Sequence, residues 1–350
     1  MKVELREQAM NQFDGLVDYA DEINRLNGGS GSALVVIHRG RIITEHYHGY
    51  HSHEAGARPI HADSQFNIAS ARKSYIGLAV AWAIEEGKIG SLEDAVTKYL
   101  PELDRDVMQG TTLRHLLTHT HGVEYDQNGH LYREYAPGQG WAYRGANILM
   151  LTDIVRRTTG KTVAQIMEEL VFRPLGFTET GWRTEPSEQL VPVILQDKQD
   201  TELNLGTNAS GDGEQRNLFV SARELAYWGY LHLKQGKIGG KQVVPANLFQ
   251  MATSVQSPEL ADKDLPENGF LWYVKGRDTK RSEIGEQVPQ GSFQILGVTG
   301  PLVLVIPEHE LVVVRMCNKR YNYSDERHDY LYYLREFGDK VTACLQKQVL

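Results

Sequence analysis

Residues 66–89, FNIASARKSYIGLAVAWAIEEGKI, are the most informative stretch of the 350-residue sequence. Apolar residues recur there at helical spacing, which predicts a helix over about 70–87. Ser70 opens this helix and Lys73 follows three positions later on the same face, so the lysine amine can reach the serine hydroxyl. A serine in this place also lies near unpaired backbone N–H groups and the positive end of the helix dipole. The pattern favours a nucleophilic serine with its base, although a serine that only caps the helix fits the same letters.

The order of predicted elements around this stretch indicates an insertion. Residues 33–50 predict two strands around a turn, helical patterns dominate from about residue 64, and strand patterns return after about residue 266. Two strands alone are marginal in water, so the hairpin must pair with strands near the C-terminus.

The predicted domains follow from that pairing. Residues 1–63 and 221–350 form a discontinuous α/β domain, and residues 64–220 form an inserted helical domain. Helical patterns over 3–26 and 325–347 place one helix at each end of the chain. Sites often lie in the crevice between two such lobes.

Composition excludes several classes of function. The net charge is −8, with no long run of basic residues, so nucleic acid is not an expected partner. The two cysteines, Cys317 and Cys344, fit no disulfide framework or metal spacing and are predicted to be reduced core residues. The charged N-terminus lacks a signal-peptide pattern and no segment has 18 uninterrupted apolar residues, so we expect a cytoplasmic protein without a membrane span.

Three strings of the sequence resemble the serine β-lactamase and penicillin-binding-protein-like family. They are the region from Phe66 to Leu103, TTLRHLLTHTHGV at 111–123 and FRPLGFTETGW at 172–182. More narrowly, they resemble its class C-like branch, which includes esterases, amidases and D-aminopeptidases, over about residues 30–320. The resemblance implies an α/β (α+β) fold: an antiparallel sheet flanked by the N- and C-terminal helices, with an inserted all-helical lobe. It also implies Ser70 as the acylating nucleophile and Lys73 as its proton partner.

The second motif of that family is Tyr-x-Asn. WAYRGANILML at 141–151 supplies Tyr143, and Gly145 stands where the asparagine is usual. The resemblance implies that Tyr143 shuttles protons with Lys73, as a phenolate or as a hydrogen-bonding partner. Gly145 takes a substrate-binding position without the side chain that typically holds an acyl amide, so β-lactams with amide side chains are less expected substrates.

The third motif, Lys-Thr-Gly or His-Thr-Gly, permits two registers. Matching letters places it at Val298-Thr299-Gly300, whereas the spacing to IPEHEL places it near Ser292, and spacing is preferred. Ser292 and Thr299 are therefore both predicted substrate-binding residues. Neither register contains the cation that usually steadies a substrate carboxylate, which favours an ester or a non-carboxylate amide. An arginine from elsewhere, such as Arg281, could substitute.

The histidines offer a competing hypothesis. His46, His48, His51, His53 and His61 cluster between the hairpin and the helical region, but their spacing fits no helix-based zinc motif. We expect no metal and no cofactor. His119 and His121 lie in the TTLRHLLTHTHGV string, where the resemblance implies a structural histidine.

The sequence therefore predicts a metal-independent serine acyl-hydrolase that acts on a small-molecule ester, amide or β-lactam. The expected oxyanion donors are the Ser70 N–H and an N–H near Ser292, and Tyr143 is the expected activator of the deacylating water. The alternatives are a β-lactamase or D-Ala-D-Ala carboxypeptidase, or a non-hydrolytic penicillin-binding sensor.

Overall fold

The hairpin at the start of the chain pairs with strands from its far end. The computed structural model describes residues 3–205 and 209–346. The described strands are β1 Arg6–Glu7, β2 Gly31–His38, β3 Arg41–Gly49, β4 Gln65–Asn67, β5 Val123–Tyr125, β6 Leu131–Arg133, β7 Thr180–Trp182, β8 Leu190–Val191, β9 Val193–Ile194, β10 Thr201–Glu202, β11 Leu218–Ser221, β12 Lys237–Ile238, β13 Lys241–Gln242, β14 Glu267–Asn268, β15 Tyr273–Val274, β16 Phe293–Leu296, β17 Leu302–Ile306 and β18 Leu311–Cys317. The described helices are α1 Asp14–Asn27, α2 Lys73–Glu85, α3 Val96–Tyr99, α4 Leu113–Leu117, α5 Ala146–Thr159, α6 Val163–Met167, α7 Arg173–Leu175, α8 Ala222–Leu233, α9 Ala246–Thr253 and α10 Tyr330–Gln346.

The main sheet has eight strands in the order β1-β3-β2-β18-β17-β16-β15-β14. β2 pairs antiparallel with both β3 and β18, so the N-terminal hairpin and the C-terminal strands form one sheet. Every residue of β17 and β18 is buried, as expected for strands covered on both faces.

Helices cover the two faces of this sheet. α1 and α10 lie on one face, where Leu16 and Phe337 pack with Leu34 and Leu304. α8 lies on the other face and contacts β2, β17 and β18. The predicted class, an antiparallel sheet flanked by the terminal helices, is confirmed.

The inserted segment is mostly helical and also carries short strands. α2 lies at its centre, and ten of its 13 residues are buried. β4 pairs antiparallel with β11, with Gln65 opposite Ser221, so the two ends of the segment meet. The lobe is therefore not all-helical: β7 and β8 join β4 and β11 in a four-stranded sheet. The division at 63/64 and 220/221 stays a prediction.

The terminal helices begin later than the sequence pattern indicated. α1 begins at Asp14 rather than near residue 3, because β1 pairs with β3 instead and residues 11–13 form a 3₁₀ turn. α10 begins at Tyr330 rather than near residue 325, after a turn in which the Asp325 carboxylate accepts from two backbone N–H groups. Cys317 and Cys344 are both buried, and no described helix has the length and apolarity needed to cross a bilayer.

Candidate functional site

A strained turn presents Ser70. β4 ends at Asn67, whose side-chain oxygen accepts a hydrogen bond from the Ala69 N–H at 2.9 Å. Ala69 has φ of 45°, in the left-handed region that costs a non-glycine residue about 1–3 kcal/mol. A 3₁₀ turn over Ala69–Arg72 then leads into α2. Because a 3₁₀ helix has three residues per turn, Ser70 and Lys73 are eclipsed along its axis.

Lys73 is buried against Tyr143. Its side chain is 6% exposed, and its Nζ lies 3.6 Å from the centre of the Tyr143 ring. Burial, followed by the positive charges of Arg72 and Arg216, lowers the pKa of Lys73 well below the ordinary value of 10.5. An amine with a pKa lowered in this way can take a proton from a serine hydroxyl.

Tyr143 lies beside Lys73 and has a raised pKa. Although 41% of the residue is exposed, its hydroxyl lies among enough protein atoms that burial raises the pKa to about 12, against the effect of a hydrogen bond with Ser70. The His119 ring stacks on Tyr143 at a centroid distance of 4.9 Å. The structure thus brings Ser70, Lys73 and Tyr143 together, and it favours the hydrogen-bonding role of Tyr143 over the phenolate.

Gly145 leaves open space beside Tyr143. It is the cap residue before α5, and its N–H donates to the Glu124 carboxylate at 3.0 Å. A Cβ atom built on Gly145 would meet no atom within 4 Å. Its role in substrate binding stays a prediction.

Thr299 lies beside the nucleophile turn. A Cβ on Gly297 would lie 2.3 Å from the Ile68 carbonyl oxygen, so this backbone passes directly beside the turn that carries Ser70. The Thr299 hydroxyl donates to the Asn67 carbonyl at 2.8 Å. Ser292 is fully buried just before β16, and this strand also contacts the Ala69–Arg72 turn. Both registers of the third motif, near Ser292 and at Val298-Thr299-Gly300, therefore stay predictions.

β16 offers a candidate for the second oxyanion donor. The Gly297 N–H donates to the Pro301 carbonyl, toward β17. N–H directions alternate along a strand, and the pairing of β16 with β15 ends at Gln294. The Leu296 N–H therefore points away from β17, beyond the end of that pairing. That N–H and the one of Ser70, at the start of its helix, are the two candidate donors.

Glu283 is a site residue that sequence reasoning missed. It is 7% exposed, and its Oε2 has no hydrogen-bond partner within the described residues. The Gln294 side chain donates to the Glu283 main-chain carbonyl at 2.8 Å and so holds its loop. Burial raises the pKa of Glu283 to about 8, although the charge of Lys73 and a hydrogen bond with Tyr273 oppose the rise. The letters RSEIGE around it contain no pattern that could have indicated this placement.

The remaining candidates lie elsewhere. His46 and His48 lie on β3 close to Asp21 of α1. The His46 Nε2 atom is 2.7 Å from Asp21 Oδ2. His51 is buried and contacts the Ser64 hydroxyl at 2.9 Å. Arg281 pairs with an aspartate, Asp262, at 3.6 Å and is exposed.

Comparison with known proteins agrees with this geometry. A family model described as Beta-lactamase matches residues 18–336. The chain belongs to the beta-lactamase family. This family consists of serine hydrolases, so the prediction of a serine acyl-hydrolase related to β-lactamases and penicillin-binding proteins is confirmed at that level.

Proteins similar to this chain differ in their sequence identity to it and in the share of the chain that they cover. An uncharacterized protein of Alkalihalophilus pseudofirmus is 48% identical over 341 residues, covering 97% of this chain and 99% of that protein. The esterase EstB of Burkholderia gladioli is 31% identical over 216 residues, covering 52% of this chain and 54% of that protein. The solved structure of EstCE1, a hydrolase with promiscuous acyltransferase activity, has a TM-score of 0.72 at 21% identity over 94% of this chain and 97% of that chain, which shows a shared fold.

Proposed function

We propose that the protein hydrolyses a small-molecule ester or amide through an acyl-enzyme on Ser70. The observation that carries the proposal is the buried Lys73 amine packed on Tyr143, one helical turn from a serine on a strained turn. The similarity to the esterase EstB of Burkholderia gladioli supports an ester as the first substrate to test.

Acylation begins with the neutral form of Lys73, which burial favours. The neutral Lys73 amine takes the Ser70 proton as the serine oxygen bonds to the substrate carbonyl carbon. The N–H groups of Ser70 and Leu296 receive the negative charge that develops on the carbonyl oxygen. The tetrahedral intermediate then collapses, the bond to the leaving group breaks, and the proton on Lys73 passes through the Tyr143 hydroxyl to the leaving oxygen or nitrogen.

Deacylation uses the same groups in reverse. Water attacks the acyl carbon, its proton passes through Tyr143 to the neutral Lys73 amine, and collapse returns a proton to Ser70 and releases the acid. With a pKa raised to about 12, Tyr143 acts as a relay between water and Lys73 rather than as the base. The expectation that Tyr143 alone activates the water changes accordingly.

A serine variant tests the proposal. Ser70→Ala is expected to abolish p-nitrophenyl ester hydrolysis and covalent labelling by a fluorophosphonate probe. Ser74→Ala is the matched control: it lies one helical turn further on, and its hydroxyl is occupied with the Ala71 carbonyl and the Trp228 indole. This control should keep its labelling, whereas unchanged turnover in Ser70→Ala refutes the assignment.

A further inference from the structure

Two arginines line a pocket beside the nucleophile turn. The pocket has a volume of about 460 Å³ and borders Ala69 and Thr299, the neighbours of Ser70 in the sequence and in space. Arg216 and Arg320 both contribute to its lining. Neither residue belongs to the three motifs discussed above.

Buried side chains hold Arg216 over the pocket. The Arg72 guanidinium donates to the Gln215 carbonyl at 2.9 Å, and the Asn67 amide donates to the Arg216 carbonyl at 2.9 Å. Arg72 and Asn67 are 6% and 3% exposed, so the backbone on both sides of Arg216 is tied to the nucleophile turn. The charge of Arg216 also contributes to the lowered pKa of Lys73, as expected for a cation near the catalytic amine.

The main sheet and the inserted lobe together hold Arg320. It follows β18, and its N–H donates to the Ile194 carbonyl of β9 at 2.8 Å. Its guanidinium carbon lies 5.3 Å from the centre of the Tyr321 ring, within the range of a cation–π contact.

The two arginines of this pocket are not held in ion pairs with any described residue. Within residues 3–205 and 209–346, neither Arg216 nor Arg320 has a carboxylate oxygen within 4.0 Å. Glu202 also lines the pocket, and its carboxylate lies 2.9 Å from the Asn204 side-chain amide when that amide is oriented to donate. The amide is neutral, so two arginines and one glutamate leave the lining with one net positive charge. In a chain with net charge −8, two unpaired guanidinium groups on one concave surface are a site for an anion.

We propose that the substrate of this enzyme carries a carboxylate, which Arg216 and Arg320 bind while the scissile carbonyl lies at Ser70. The inference rests on the proposed acyl-hydrolase function and deepens it. A planar guanidinium forms paired hydrogen bonds to a carboxylate, which gives both affinity and orientation. The preference for a non-carboxylate substrate followed from the missing cation of the third motif, and these arginines provide that charge from other parts of the chain.

Matched pairs of esters test the proposal. The first pair, p-nitrophenyl hemiglutarate and p-nitrophenyl pentanoate, differs by a carboxylate on the acyl part. The second pair, p-acetoxybenzoate and p-tolyl acetate, differs by a carboxylate on the leaving group. For each pair, kcat/KM is measured with the wild type, Arg216→Gln, Arg320→Gln and the control Arg25→Gln, an exposed arginine on α1 that pairs with Glu22. The ratio within a pair cancels any general effect of Arg216 on Lys73.

The expected result is a preference for the carboxylate member of at least one pair by about tenfold or more in the wild type. Each pocket variant should bring that ratio toward one, added salt should reduce it, and Arg25→Gln should leave it unchanged. A ratio near one in the wild type for both pairs, or an unchanged ratio in both pocket variants, overturns the proposal. Both arginines are exposed, so these variants are expected to fold, and glutarate inhibition of the wild type gives a readout without substitution.

Failure of this inference differs from failure of the proposed function. If Ser70→Ala hydrolyses the esters as fast as the wild type, the acyl-enzyme proposal is wrong and the arginine inference with it. If Ser70→Ala is inactive and the ratios are flat, only the carboxylate inference is wrong.

Discussion

Glu283→Gln is expected to stabilise the protein in alkaline solution. The folded protein holds Glu283 with a pKa of about 8, against 4.5 for an unperturbed glutamate. The folded state therefore binds this proton more tightly than the unfolded state. The resulting stability is fully present below about pH 4.5 and is lost as the pH rises through about 8.

The magnitude follows from the shift. A difference of about 3.5 pKa units at 1.36 kcal/mol per unit corresponds to about 5 kcal/mol of unfolding free energy, as an upper figure. Opening of the loop around Glu283 to water would reduce this to a few kcal/mol. Glutamine has nearly the same shape and does not titrate, so the variant loses this part of the pH dependence.

Urea unfolding followed by tryptophan fluorescence between pH 5 and pH 9 measures the effect. We expect the variant to gain stability relative to the wild type with each step above pH 5, and to exceed it at pH 9. Glu224→Gln is a comparison variant: this glutamate is equally exposed and burial raises its pKa too, but its carboxylate accepts hydrogen bonds from the Thr178 and Glu179 N–H groups and the Thr180 hydroxyl. Its replacement should destabilise the fold at pH 9. A constant difference between wild type and Glu283→Gln across the range would refute the reasoning.

Further predictions concern the geometry and chemistry of the cleft. Gly297→Ala should lower ester turnover and destabilise the fold by about 1–3 kcal/mol, because the new Cβ meets the Ile68 carbonyl. Gly145→Ala has room for its Cβ, so thermal denaturation should show nearly the same stability as in the wild type. Gly145→Asn should fold and raise amide hydrolysis relative to ester hydrolysis; an unchanged ratio of kcat/KM values for a p-nitroanilide and a p-nitrophenyl ester would contradict this. In a pH–rate profile, kcat/KM should rise as Lys73 loses its proton, with a midpoint below 10.5, and a flat profile would argue against a lysine base. EDTA should not change the rate, because an amine activates the nucleophile; a loss restored by zinc would refute that mechanism.

The sequence predicted the features that depend on neighbours along the chain. The spacing of Ser70 and Lys73 sets their common helix face, and the apolar runs of β17 and β18 set the strands that the N-terminal hairpin needs as partners. These are local properties, because helix and strand periodicity relate residues that are close in sequence. The fold class could therefore be predicted before the structure was known. The roles proposed for Ser70 and Lys73 rest on this spacing together with the resemblance to a known family.

The tertiary structure decided which distant residues meet the nucleophile. Glu283 approaches Lys73 because the main sheet and the inserted lobe meet there, and Arg216 does so because β11 pairs with β4 just before the nucleophile turn. Neither residue can be found from its own neighbours in the sequence. The third motif shows the same limit, because only the fold brings the Thr299 hydroxyl to the Asn67 carbonyl, 232 residues away in sequence. Burial has the same origin: packing removes water from Lys73 and Glu283, and that desolvation shifts their pKa values toward the neutral forms that the proposed chemistry uses.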